Sequence, residues 1–147
     1  MPLIAWNEDY SIGVPQLDEH HQHLFFLSNR FHDIFVKEAP SQDLSPLFDE
    51  LIDYIIYHFT AEEQLMQEFR FPDYEMHRKE HETFSKRLVE LDKQSSQDKK
   101  HLLIETVVFL HTWLKSHILQ SDAEFGRFIA LDYNAVSRNW NSSKTTI

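Results

Sequence analysis

The chain has no cysteine among its 147 residues. A disulfide framework and thiolate metal ligation are therefore excluded at the outset. Glycine is nearly as scarce, two residues beside five prolines, which is too little turn chemistry for a many-stranded β fold. Basic residues are outnumbered, 14 against 24 acidic, for a net charge of −10. Such a surface repels phosphate backbones and anionic lipid, so neither nucleic acid nor a membrane surface is expected as a partner. No run approaches the ~20 apolar residues of a membrane span. The opening "MPLIAWNEDYSIG" has no basic stretch leading into a long apolar one, so no signal peptide is expected. The chain is expected to be cytoplasmic, with no membrane insertion.

What is present points to a folded globule. Apolar residues make up 41% of the chain, twelve of them phenylalanine, and the length is that of one domain. Ten histidines stand out against this background, because globular domains do not collect histidine for packing.

After an irregular arm (1 to 16), four segments repeat apolar residues at steps of three and four. The first is expected to start with Asp18 as N-cap and run to about Lys37, through Leu17, Leu24, Leu27, Phe31, Ile34 and Phe35. Ser45 as N-cap and Pro46 at the first helical position open the second. Its stripe is Leu47, Leu51, Ile55, His58, Glu62, Leu65 and Phe69. A third begins near Pro72 or Asp73 and carries Tyr74, His77, His81, Phe84, Leu88 and Leu91. Beyond the linker "DKQSSQDKK", the fourth carries Leu103, Val107, Leu110, Leu114 and His117. Four amphipathic helices with short connections predict an all-α, antiparallel up-down four-helix bundle. It should occupy residues 1–133, with "SDAEFGRFIALDY" adding a short helix. The polar stretch 134–147, Trp140 included, reads as a flexible tail.

The polar residues on these stripes carry the chemistry. His58 and Glu62 stand four apart on the second helix, and His77 and His81 four apart on the third. Residues at that spacing lie one above the other, so each pair offers two donors to one point. His117 is on the fourth stripe, with Asp122 five residues on. Five residues is about 140° out of phase in a regular helix, so a distortion or the helix end is expected there. A lone core-facing histidine is more often a hydrogen-bonded core residue than a ligand. A carboxylate on an apolar stripe, however, must be paired or metal-bound, and three helices aiming donors inward is hard to produce by accident.

The first helix contributes "DEHHQHLF". His20 and His21 flank the centre of its apolar face on opposite sides by comparable angles, and His23 falls at the edge of the polar face. Periodicity excludes His23 and does not choose between the other two.

The set "LDEHHQHLF", "HFTAEE", "HRKEH" and "WLKSHILQSD" resembles hemerythrin, in its bacterial single-domain form, from about Trp6 to Phe125. The family pattern D-x-x-H-x-x-L-F falls on Asp18, His21, Leu24 and Phe25, so the resemblance selects His21. One departure stands out. The residue before this ligand is commonly Gln or Glu in the family, where it can support a neighbouring ligand; here it is His20.

The resemblance implies a ligand set of His21, His58, Glu62, His77, His81, His117 and Asp122. Five imidazoles and two carboxylates suit iron better than magnesium or calcium, which want oxygen throughout. Zinc is content with about four ligands, so seven imply two ions. The cofactor implied is two Fe ions per chain, bridged by Glu62, Asp122 and a solvent-derived oxygen. His77, His81 and His117 complete one iron; His21 and His58 leave an open position on the other. Dioxygen is the ligand implied, bound reversibly there for transport, storage or delivery, with an oxygen-consuming enzyme as the class of protein that would receive it. Phe59, Trp113, Leu114 and Ile118 match family positions lining the pocket, where an apolar wall would exclude protons and water. The chain is expected not to be an enzyme: oxidising di-iron bundles use carboxylate-rich Glu-x-x-His pairs, and here the order is His-x-x-x-Glu. The competing readings are an O2 or redox sensor, a di-iron oxidase or peroxide- or nitric-oxide-handling enzyme, and a zinc or metal-free structural bundle. Nothing in the sequence specifies an oligomeric state.

Overall fold

The structure, a computed structural model, describes residues 4–37, 43–94 and 98–131. Among them are four long helices: α1 (Pro15–Val36), α2 (Ser45–Glu68), α3 (Tyr74–Lys93) and α4 (Lys99–His117). α1 packs on α2 and α4, and α3 packs on the same two. Neighbours run in opposite directions. Phe31 meets Phe48 at one end of the α1–α2 pair, and His20 meets His58 toward the other. Likewise Arg87 pairs with Glu105 while His81 meets His117. The architecture is the antiparallel four-helix bundle that the periodicity predicts.

The helix ends differ from the sequence reading in instructive ways. α1 starts at Pro15, not after Asp18, because proline's fixed φ suits a first helical turn. Asp18 is therefore not the N-cap. Its carboxylate accepts from the Ser11 hydroxyl at 2.6 Å and from the Ile12 N–H at 2.9 Å, tying the N-terminal arm to α1. Higher up, Asn29 does the same for Ile4, exchanging two hydrogen bonds with its backbone. Ser45 is the first residue of α2 rather than its cap, a difference of one position. α4 is capped by Asp98, whose carboxylate accepts the His101 N–H at 3.0 Å.

α4 does not stop at His117. It passes through a π-helical stretch, Ile118–Asp122, and resumes as α-helix over 123–131. The expected separate short helix is thus the end of this long one. By length and composition, 99–131 could cross a membrane, contrary to the reading that no run comes close; its Leu103, Leu110 and Leu114 are packed in the bundle core. The stripe of α2 also shifts near its end. Met66 is fully buried, while Leu65 and Phe69 are half-buried. The tail at 134–147 and its Trp140 lie outside the described residues.

The two glycines sit where geometry demands them. Gly13 has φ +80, and a Cβ on Gly126 would stand 2.1 Å from the Ile12 carbonyl oxygen. At the end of α2, Arg70 takes a left-handed φ of 54, at a cost of about 1–2 kcal/mol for an L-residue. That turn lets the Phe71 N–H reach the Met66 carbonyl at 2.9 Å, closing the helix as a glycine would.

The buried apolar residues form two clusters. The larger includes Leu24, Phe31, Phe48, Leu51, Phe84, Leu88 and Leu110; the smaller is Ile12, Leu17, Met66, Phe71 and Phe125. Along every helix, one kind of residue separates them.

Candidate metal centre

Between Leu17 and Leu24 on α1 lie His20 and His21. Between Phe59 and Met66 on α2 lies Glu62, with His58 one turn earlier. Between Phe71 and Phe84 come His77 and His81, and His117 and Asp122 precede Phe125. The four helices thus lay a polar, buried layer across the bundle. Asp122 joins it through the π-helical stretch. The Ala123 N–H returns five residues to the Ile118 carbonyl. This wider turn brings round a side chain that a regular helix would aim elsewhere. Its Oδ1 stands 3.1 Å from His117 Nε2.

All seven sequence-designated donors meet here, and their atoms fall into two groups. One is Glu62, His77, His81, His117 and Asp122; the other is His21, His58, Glu62 and Asp122, each with its donor atoms within 4.8 Å of one another. Both carboxylates belong to both groups. Glu62 turns Oε1 to His77 (2.8 Å) and His81 (3.3 Å), and Oε2 to His58 (3.2 Å) and His21 (3.7 Å). Asp122 turns Oδ1 to His77 (2.9 Å) and His117, and Oδ2 to His21 (3.1 Å).

Most of these contacts are not hydrogen bonds. Among the described residues, His21 Nε2, His77 Nε2, both Glu62 oxygens and Asp122 Oδ1 are buried without a partner of proper geometry. Buried polar atoms left so are costly, unless what they converge on is a cation. The electrostatics agree. Burial opposes a charge on His21, yet the carboxylates of Asp122 and Glu62 beside it raise it to about 9. The same contest lifts His77 to about 10 and His117 to about 9. Glu62 and Asp122 are held well below the carboxylate range, burial being outweighed by the surrounding histidines. His58 is pushed down by burial, against the pull of Glu62. Two ionised carboxylates therefore gather protons onto their neighbours. Divalent cations would replace those protons, and the donor set fits a pair of them.

The outward ring nitrogens have partners that the sequence reading missed. His117 Nδ1–H donates to Glu80 at 2.8 Å, and the Ser121 hydroxyl donates to the same oxygen at 2.7 Å. His81 Nδ1 faces Glu63 at 3.2 Å. Glu80, held down to about 2 chiefly by its bond to His117, is partly exposed and lines an open cavity of about 410 Å³ with Trp113 and Met76. Glu80, Ser121 and Glu63 each directly precede or follow a donor in sequence, a signal too common to single out in advance. His20 is buried, with its Nδ1 2.9 Å from His58 Nδ1, and burial holds it down to about 4. His23 is half-buried, its ring near Tyr54.

The four residues designated for an oxygen pocket divide. Phe59 stacks on His81 at 3.7 Å and Trp113 on His117 at 4.2 Å, both against the three-histidine group. Leu114 and Ile118 are buried in the larger apolar cluster.

Known proteins share this arrangement of helices. The family profile described as "Hemerythrin HHE cation binding domain" matches residues 12–129. A bacteriohemerythrin of Aquifex aeolicus is 35% identical over 125 residues, covering 82% of this chain and 93% of that one. One of Stenotrophomonas maltophilia is 29% identical over 144 residues, covering 97% and 92%. A crystal structure of wild-type hemerythrin superposes with a TM-score of 0.74 at 27% identity, covering 85% of this chain and 96% of that one. By the match to its profile over most of its length, the chain belongs to the hemerythrin family.

Proposed function

We propose that the chain holds two iron ions and binds dioxygen reversibly, as a carrier rather than an enzyme. The observation that carries this reading is the unequal division of donors, three imidazoles against two, around two shared carboxylates. Glu62 and Asp122, each with one oxygen toward either group, are the residues to bridge two ions, with a solvent-derived oxygen beside them. His77, His81 and His117 would hold one ion. His21 and His58 would hold the other, where one protein donor fewer leaves a position for a small ligand. Iron, when bound, supplies the electrons that reversible attachment of dioxygen requires.

The remaining work belongs to side chains. Glu80 and Glu63 fix the rings of His117 and His81 through their outer nitrogens, which sets tautomer and orientation. Phe59 and Trp113 lie flat on those same rings and hold them in place. Leu114 and Ile118, buried beside His117 in sequence, exclude water from the inner face of α4. One open position leaves room for a small ligand such as dioxygen, and the buried apolar side chains of Phe59, Leu114 and Ile118 favour release over further reaction.

The experiment is an iron determination with a visible spectrum taken with and without oxygen. Two irons per chain and a spectrum that switches back and forth support the proposal. A single zinc, or sustained consumption of oxygen with an oxidised product, overturns it.

A further inference from the structure

The two donor groups are anchored differently from behind. In the three-histidine group, the outer nitrogens of His117 and His81 face carboxylates, Glu80 and Glu63. In the two-histidine group, His21 Nδ1 is buried with no hydrogen-bond partner among the described residues. His58 Nδ1 has one, and it is the Nδ1 of His20 at 2.9 Å. The whole outer anchorage of this group therefore falls on one neutral ring.

We propose that His20 is the positioning residue for His58, accepting its Nδ1–H and backing the two-histidine group with a neutral imidazole where the other group is backed by carboxylates. This rests on the reading that His58 binds metal. His58 Nε2 faces inward, 3.2 Å from Glu62, and an imidazole that ligates through Nε2 carries its proton on Nδ1. That proton lies between the two Nδ1 atoms, so His20 accepts and is fixed as its Nε2–H tautomer. Rings enclose His20 on its outer side, Tyr57 at 5.0 Å and Tyr54 at 6.0 Å, so it cannot swing away freely.

The chemical class of the acceptor matters. A carboxylate behind a ligating imidazole makes it a stronger donor, which favours the higher charge on the metal. A neutral imidazole does so less. The two-histidine group is thereby the half of the centre that is easier to keep reduced, and it is the half with the open position. This goes beyond orienting a ring: His20 would divide the two ions electronically.

The test uses the full iron-loaded chain without oxygen. Iron per chain, the rate of iron release to a ferrous chelator and the reduction potential are measured for the parent and for His20→Gln, His20→Ala and His20→Glu. Thermal melts show whether each variant is folded. His20→Ala should release one of its two irons about 10–100-fold faster than the parent. His20→Gln keeps an acceptor oxygen and should stay close to the parent. His20→Glu should hold both irons and shift the potential to more negative values. An Ala variant that releases iron at the parent's rate overturns the inference. So does equal loss from the Gln and Ala variants, since packing rather than the acceptor would then be acting. A potential unmoved in the Glu variant overturns the electronic part. A parent that holds fewer than two irons overturns the proposed function, and this inference with it; a parent that holds two, with an unaffected Ala variant, overturns the role of His20 alone.

Discussion

The two apolar clusters on either side of the donor layer are unequal in a way that assigns them different work. The larger fills the bundle on one side of that layer, with Phe31, Phe48, Phe84 and Leu91 almost wholly buried. The smaller has five buried residues, two of them drawn from outside the four helices, Ile12 from the N-terminal arm and Phe71 from the α2–α3 turn. Burial of a large apolar side chain stabilises by about 1.5–3 kcal/mol, so the large cluster can hold the helices together by itself. The small one has too few such residues. It is joined to the rest through the polar layer, where Glu62 and Asp122 draw in donors from all four helices. The lesson is that a binding centre placed across a core also decides which part of that core depends on the ligand.

Removing the ligand should break this comparison most visibly. Chelation of the metal should raise amide exchange around Phe71 and over 123–131, while α1 near Phe31 and α3 near Leu88 stay protected. Glu62→Ala should reproduce this without chelator and abolish loading at both groups. A uniform rise along all four helices would show that the two clusters are one cooperative unit.

Acidity sharpens the same point. In the metal-free chain His21, His77 and His117 have folded-state values raised from 6.5 to about 9, 10 and 9. Their contribution to stability is therefore full below about 6.5 and lost as pH rises through about 9 to 10. Metal replaces those protons, so the loaded chain should lack this alkaline loss. On the acid side the depressed Glu62 and Asp122 contribute above the ordinary carboxylate range and less as pH falls. Acid should also release the metal, because ligation needs neutral imidazoles. Melting temperatures of loaded and metal-free protein between about pH 2 and 11 read all of this.

Within the large cluster, Leu114→Ala should cost about 2–5 kcal/mol, the range for a buried leucine. It should still load iron, and it should lose its oxygenated form faster if Leu114 also keeps water out. Denaturant melts and the decay of the oxygenated spectrum measure the two effects separately. At the small cluster, Gly126→Ala should cost about 1–3 kcal/mol as an overpacking change, since the new Cβ must displace the Ile12 backbone. Loss of protection confined to the N-terminal arm is the expected signature. The smallest effect should come from His23→Ala, within about 0.5 kcal/mol of neutral, with iron content unchanged. A large effect there would mean that its contact with Tyr54 supports the centre through the aromatic rings around His20.

The stripes on α2 and α3 were legible in the sequence because residues four apart share a face whatever surrounds them. His58 with Glu62, and His77 with His81, follow from that rule alone. The first helix was not legible to the same degree: His20 and His21 flank one apolar face, and both turn out to be buried. What separates them is the partner each meets, Glu62 and Asp122 for His21, the outer nitrogen of His58 for His20. Those partners lie far along the chain, so no local pattern encodes the choice. Asp18 shows the same limit at a helix end. Its type and position suit a cap, yet the N-terminal arm folds back and claims its carboxylate.

By itself, then, the sequence determined the all-α class, the four amphipathic segments and the spacing of the inward-facing donors on α2 and α3. These rest on helical periodicity and on the scarcity of glycine, proline and cysteine, which are properties of the chain at short range. Tertiary structure decided the rest. It set the π-helical turn that brings Asp122 round to His117, the carboxylates behind His81 and His117, and the neutral ring behind His58. Each depends on which side chains meet across helices, and a buried polar atom takes its partner from whatever the packing places within reach.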